Sequence, residues 1–203
     1  GNASAIGSGT LSTGAGATLD TASAMTLGNA VSVNNGQLNL AGNNALTLTG
    51  NISGNSGLNK NGAGALTLSG TGSSYFGPTN LNTGTLIVGS NAALGASVLN
   101  AANGTVLDAV GGANVSNQVN LAGNLGIGGS ADLGISGVTG GSGSLTKNGN
   151  AVLGLSGVNT FQGGVVPNAG GLVVGSNTAL GLGALTVAGT SILDSSASAI
   201  LAN

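Results

Sequence analysis

The chain repeats itself, and the period of that repetition limits what it can fold into. The segment Leu58-Asn59-Lys60-Asn61-Gly62-Ala63-Gly64-Ala65-Leu66-Thr67-Leu68-Ser69-Gly70 returns 87 residues later as Leu145-Thr146-Lys147-Asn148-Gly149-Asn150-Ala151-Val152-Leu153-Gly154-Leu155-Ser156-Gly157. Val88-Gly89-Ser90-Asn91-Ala92-Ala93-Leu94-Gly95 returns 86 residues later as Val174-Gly175-Ser176-Asn177-Thr178-Ala179-Leu180-Gly181. Three Leu-Asp phrases keep step, ending at Asp20, Asp108 and Asp194. Gln37 to Asn43 also matches Gln118 to Asn124. Such units fold by stacking, each burying its neighbour's apolar face. The expected organisation is one domain over 1–203, with a partial repeat at 1–57, a repeat at 58–144 and a partial repeat at 145–203, on a unit of about 86 residues.

Within each unit the apolar residues alternate. Leu38-Asn39-Leu40, Leu46-Thr47-Leu48, Leu66-Thr67-Leu68 and Leu185-Thr186-Val187 have the period of two that puts one side of a strand in a core and the other in solvent. Asn-Gly pairs at Asn35-Gly36, Asn61-Gly62, Asn103-Gly104 and Asn148-Gly149 supply turns, since both residue types accept positive φ cheaply. Gly and β-branched residues interrupt every stretch long enough for a helix. A sandwich does not explain the repeat, and a membrane barrel needs aromatic girdles that one Tyr and two Phe cannot supply. An all-β, parallel β-solenoid (β-helix) explains all of it. With turns of about 20 residues a unit spans four, and the whole chain about nine or ten, a rod of about 45 Å.

Composition agrees. Apolar residues make up 40% of the chain but aromatics only 1%, so the core must be Leu, Val, Ile and Ala in thin layers. Gly occurs 42 times, about three times its usual share. Cys and His are absent, and the charged side chains are Lys60, Lys147, Asp20, Asp108, Asp132 and Asp194. A net charge of −2 gives no field for nucleic acid or for an anionic membrane. No run is long and apolar enough for a transmembrane helix. Gly1-Asn2-Ala3-Ser4 has no signal-peptide character, so a mature or excised segment is expected.

The run from Leu145-Thr146-Lys147-Asn148-Gly149 through Leu153-Gly154-Leu155-Ser156-Gly157-Val158-Asn159-Thr160-Phe161-Gln162-Gly163-Gly164 to Leu172-Val173-Val174-Gly175 resembles the passenger-associated repeat of autotransporter adhesins. Lys60 to Val88 is similar, with Tyr75-Phe76-Gly77 at the aromatic-Gly position. The resemblance implies a right-handed parallel β-helix exported through the outer membrane of a Gram-negative bacterium. The chain departs from that family in being nearly uncharged, and with no translocator barrel legible in these 203 residues a passenger fragment, or a repeat recruited into another surface polymer, is expected.

Chemistry is hard to find. A hydroxyl nucleophile needs a base beside it, and there is no His or Glu. Lys60 and Lys147 sit in matching Lys-Asn-Gly phrases and read as solvated repeat-turn positions. Asp20, Asp108 and Asp194 lie a full unit apart, four turns by this reckoning, too far to share a calcium ion. Gly128-Gly129-Ser130-Ala131-Asp132 only faintly echoes a calcium-binding nonapeptide. Each Asp reads as a turn residue bonding its own backbone. Sequons at Asn2, Asn51, Asn103 and Asn114 are expected by chance in so Asn-rich a chain. No enzyme activity, cofactor or metal is expected.

What remains is the near absence of charge, which leaves little to keep copies apart. The expectation is a structural extracellular repeat protein that associates with itself as a surface fibre, stalk or biofilm-matrix element. Asn and Thr ladders would bond turn to turn. The alternative is a passenger adhesin engaging a host surface or glycan, with Tyr75, Phe76 and Phe161 as candidate adhesive or packing contacts. An ice-binding solenoid is a minor alternative, resting on the shared face of Thr47 and Thr49.

Overall fold

The alternating runs form strands of two to six residues that pair in parallel with strands one turn away, except Leu185-Thr186-Val187, which makes only an isolated bridge from Leu185. The computed structural model describes residues 6–196, 198, 200 and 201. Over these the chain winds as the expected β-solenoid of about nine turns, with no α-helix. At ~4.8 Å per turn the rod is about 43 Å long.

The circuit has three faces. The first carries Leu11–Ser12, Val31–Ser32 and Ile52–Ser53, then, beyond a gap, the strands from Ala113–Val115 to Thr190–Ser195. The second is a seven-stranded sheet from Thr18–Leu19 to Thr139–Gly141. The third is eight-stranded, from Met25–Leu27 to Val165–Pro167, and a bridge from Val165 to Leu185 extends it. Leu58, Thr79, Leu99, Val119 and Thr139 are successive register partners on the second face, so a turn takes 20 or 21 residues.

That turn length does not divide the sequence repeat. Four turns from Leu58–Lys60 reach Thr139–Gly141 on the same face. The repeat partner, Leu145–Lys147, is one strand further on, in the third face. The unit is therefore four turns plus one face rather than the four turns expected. Successive copies are related by a screw that moves each feature to the next side of the rod. The match of Gln37–Asn43 to Gln118–Asn124 is a different relation: Asn39 and Asn120 lie four whole turns apart on one face.

The core is a set of stacked aliphatic columns. Leu46, Leu66, Leu86, Leu107 and Ile127 lie one above another on the third face, all buried. Truncating one of them to Ala would cost about 2–5 kcal/mol through lost burial and the cavity left. The short strands work because each residue's backbone bonds go to neighbouring turns, so no strand depends on its own length.

Candidate functional site

Alternation places the lysines. In Leu58-Asn59-Lys60 and Leu145-Thr146-Lys147 the first and third residues face inward. Lys60 therefore stacks between Leu40 and Leu81, and Lys147 between Ile127 and Pro167. They are 2% and 0% exposed, which corrects the solvated positions expected for them. Their stems fill the core layer while the ammonium groups meet carbonyls at the corner. Lys60 Nζ donates to the carbonyls of Gly62 and, at 3.2 Å, Thr83. Lys147 Nζ donates to the carbonyls of Asn148 (2.6 Å), Gly149 (2.9 Å) and Ala169 (3.2 Å). Burial lowers both pKa values below the ordinary lysine value. For Lys147 the nearby charges of Asp108 and Asp132 oppose that shift. Both amines staple their own turn to the next.

The screw also separates the aspartates. Asp20 follows the second-face strand Thr18–Leu19, Asp108 lies in a third-face strand and Asp194 in a first-face strand. In each, Oδ1 accepts the backbone N–H of the following residue, Thr21, Ala109 or Ser195, at 2.6–2.9 Å. Asp108, 8% exposed, also takes the hydroxyl of Ser130 at 2.5 Å and its N–H at 3.0 Å, joining two turns. Asp132 accepts from the Val152 N–H at 2.8 Å. Among the described residues no three His, Cys, Asp or Glu side chains converge as a metal site.

The aromatics divide. Tyr75 and Phe161 are fully buried, so they are packing residues and not exposed adhesive contacts; Phe76 is 68% exposed. Tyr75 lies where the first face loses its strand, between Leu66–Leu68 and Thr79–Leu81. Phe161 lies where the second face loses its strand, between Val152–Leu155 and Val165–Pro167. One turn later Gly95 and Gly181, both at positive φ, pass over the rings. A Cβ on either would stand 3.0 Å from the ring's Cδ1 and closer still to aromatic-residue backbone. Leu94 and Leu180 fill the core beside them. The aromatic is a plug where the circuit is irregular, and the screw turns the second plug one face round.

The feature that sequence reasoning expected only in outline is a ladder on the second face. Asn59 Nδ2 donates to Asn39 Oδ1 at 3.0 Å, Asn80 to Asn59 at 2.8 Å, Asn100 to Asn80 at 2.8 Å and Asn120 to Asn100 at 2.9 Å. Every amide dipole points the same way. Gln118 Nε2 closes one end on Asn120 Oδ1 at 3.0 Å, and Asn39 donates to the Ala17 carbonyl at the other, at 3.3 Å. The signal was in the sequence: each Asn is the middle residue of a strand triplet, 20 or 21 positions from the next. The corresponding threonine column on the third face runs only from Thr26 through Thr47 to Thr67 before Ile87 and Asp108.

Three sequon asparagines have structural work to do. Asn51 Oδ1 accepts from Gly72 N and Asn103 Oδ1 from Asn124 N, each at 2.9 Å, and Asn114 Nδ2 donates to Ser136 Oγ at 2.9 Å. Asn2 lies outside the described residues. A small cavity lined by Asp20, Thr21 and Lys60, among others, is where Thr21 Oγ1 is buried without a partner. No helix is long and apolar enough to cross a membrane among the described residues.

Residues 58–88 and 145–174 each match the family model of the passenger-associated-transport-repeat. These are the two segments that carry a buried lysine at one end and an aromatic plug in the middle. No curated protein and no solved structure matches the chain significantly. A chain with this repeat and this fold fits an autotransporter passenger domain, secreted or displayed at a surface.

Proposed function

We propose that this chain, carrying two passenger-associated-transport-repeats, is a structural, non-catalytic stretch of an autotransporter passenger, displayed outside a Gram-negative cell, where copies associate into a fibre, stalk or matrix. The observation that carries the reading is the surface the solenoid leaves in water. With both lysines drawn inside and Asp108 covered, the exposed charges among the described residues are Asp20, Asp132 and Asp194, on 8095 Å² of accessible surface. They stand on different turns, about 14 Å or more apart at the turn spacing. The Debye length in physiological salt is about 8 Å, so their repulsion is screened. The rest of that surface is uncharged, small polar residues, Gly and Ala interspersed with exposed apolar side chains such as Phe76, Val158, Leu182 and Ile192, and little keeps two rods apart.

A passenger adhesin reading keeps one observation in its favour, the exposed ring of Phe76. The two readings differ in what the chain does alone. Sedimentation of the purified chain across a hundredfold range of concentration, with electron microscopy of the same samples, tests the first. Laterally associated rods whose fraction grows with concentration and changes little with salt are expected. Single rods at every concentration would overturn it and leave adhesion to a foreign surface.

A further inference from the structure

The three faces differ in what they offer a second rod. The first points Val173 and Asp194 outward in one column with Gly134 and Gly154. The third carries Ile87, Val106 and Val166 among its threonines. The outward column of the second runs Thr18, Asn39, Asn59, Asn80, Asn100, Asn120 and Gly140, with neither a charged nor a large apolar side chain. Beside it, along the corner, Ala102, Ala122 and Ser142 line a shallow groove.

Each of Asn59, Asn80 and Asn100 spends one amide N–H and accepts one bond within the ladder. Each therefore keeps a second N–H and a second acceptor site. The rotamers are already fixed by the ladder, so little side-chain entropy remains to be lost on contact. The aligned amides also add to one dipole along the rod. Two such ladders side by side attract when antiparallel and repel when parallel.

We infer that the asparagine face is where a second copy of this chain lies, antiparallel and related by a two-fold axis, the spare amide groups of one ladder bonding those of the other. This inference rests on the self-association proposed above and names its contact. A second copy is favoured as the occupant because its rungs have the same spacing. The two ladders stay in register along their whole length, as a ligand with any other repeat would not. The patch is about 34 Å by 10 Å, roughly 700 Å² over both copies, short of the 1,200–2,000 Å² of a stable specific interface. The contact is accordingly weak for one pair of these segments and grows with the length of asparagine-bearing rod.

The test uses two pairs of variants in a chain that has no cysteine of its own. Asn80→Asp with Asn100→Asp puts carboxylates on the asparagine face; Thr47→Asp with Thr67→Asp puts them on the third face. Sedimentation at pH 7 and low salt should show at least a tenfold loss of association for the first pair and little change for the second. Asn82→Cys at the corner and Thr67→Cys on the third face are then oxidised at high concentration. Disulfide-linked dimers are expected from Asn82→Cys alone, and this arm decides the matter if the ladder aspartates prevent folding. Association that survives the ladder charges, or cross-linking through Thr67→Cys instead, would overturn the assigned face while leaving self-association standing. A wild-type chain that never associates would overturn both.

Discussion

The hydroxyl of Tyr75 lies 2.7 Å from Thr79 Oγ1 in the core, and Thr79 Oγ1 lies 3.0 Å from Ser97 Oγ. One repeat later the corresponding residues are Phe161, Val165 and Gly183, and every polar member of the network has gone. A buried hydroxyl left alone costs about 1–3 kcal/mol, whereas removing both partners together is close to neutral. Thr79→Val alone should therefore destabilise by about 1–3 kcal/mol, because it removes the near partner of the Tyr75 hydroxyl and of Ser97 and leaves the two only each other. Tyr75→Phe alone should cost less, about 0.5–1.5 kcal/mol, since Thr79 keeps Ser97. The double variant should recover most of the Thr79→Val loss. A double-mutant cycle by urea unfolding measures it, and additive losses would mean that the network carries no coupling.

The same hydroxyl gives the fold an alkaline limit. Desolvation raises the Tyr75 pKa to about 12, against the bonds to Thr79 and Ser97, which lower it. The folded chain thus holds this proton more tightly than the unfolded chain, whose tyrosine titrates near 10. The associated stability is complete below pH 10 and lost between pH 10 and about 12. Over that window it amounts to about 2–3 kcal/mol. The lysines act in the opposite sense: their pKa values are lowered, so stability rises with pH up to about 10.5 as the buried amines lose their charge. The urea midpoint should climb gently towards pH 10 and then fall. Tyr75→Phe should abolish the fall alone. As this is the chain's one tyrosine, tyrosinate absorbance reports the same event directly.

The buried lysines separate packing from charge. Lys147→Ala removes the stem between Ile127 and Pro167 and the three bonds made by Nζ. Lys147→Met keeps most of the stem and loses the bonds along with the buried charge. The alanine variant should cost about 3 kcal/mol. The methionine variant should cost roughly 1 kcal/mol, because losing the desolvation penalty offsets part of the missing hydrogen bonding. Equal losses in denaturant unfolding would mean that the ammonium staple, not the stem, holds this corner.

Much of this was legible in the residues, for a definite reason. In a solenoid each turn repeats its neighbour's environment, so period two and period 20 are both written into the chain, and strands, turns and the stacked core follow. The Asn-Gly pairs that follow the lysines give these positions the look of solvated turns. Counting alternation outward from Leu58 or Leu145 puts the third residue inside, and the long stem makes that placement physically acceptable. The aromatics stand out in so aliphatic a sequence, which leaves an adhesive and a packing role equally open; a gap in a strand column is where a large side chain fits, and Tyr75 and Phe161 pack there. The screw offset between repeat and turn was hidden because it depends on turn length to within a residue. Loops around Tyr75 and Phe161, which differ from strands in residues per unit length, blur that count.

Close approach between turns sets the last prediction. A Cβ added to Gly57 would sit 2.0 Å from the Pro78 carbonyl oxygen, inside the backbone of the next turn. Gly154 sits on the first face with its nearest heavy atom, Gly134 Cα, 3.9 Å from such a Cβ, and its φ is not positive. Gly57→Ala must push two turns apart or break the bond from Leu58 N to the Pro78 carbonyl, at 2.9 Å. A loss of about 2–4 kcal/mol is expected, in the range of overpacked cores and lost buried hydrogen bonds. Gly154→Ala meets no obstacle and reduces the freedom of the unfolded chain, so it should stabilise by about 0.4–1 kcal/mol. Hydrogen exchange read residue by residue would locate both effects. Gly57→Ala should expose amides in the adjoining turns first, because a stacked rod yields locally where neighbouring turns part. Uniform loss of protection along the rod would show instead that the solenoid opens as one unit.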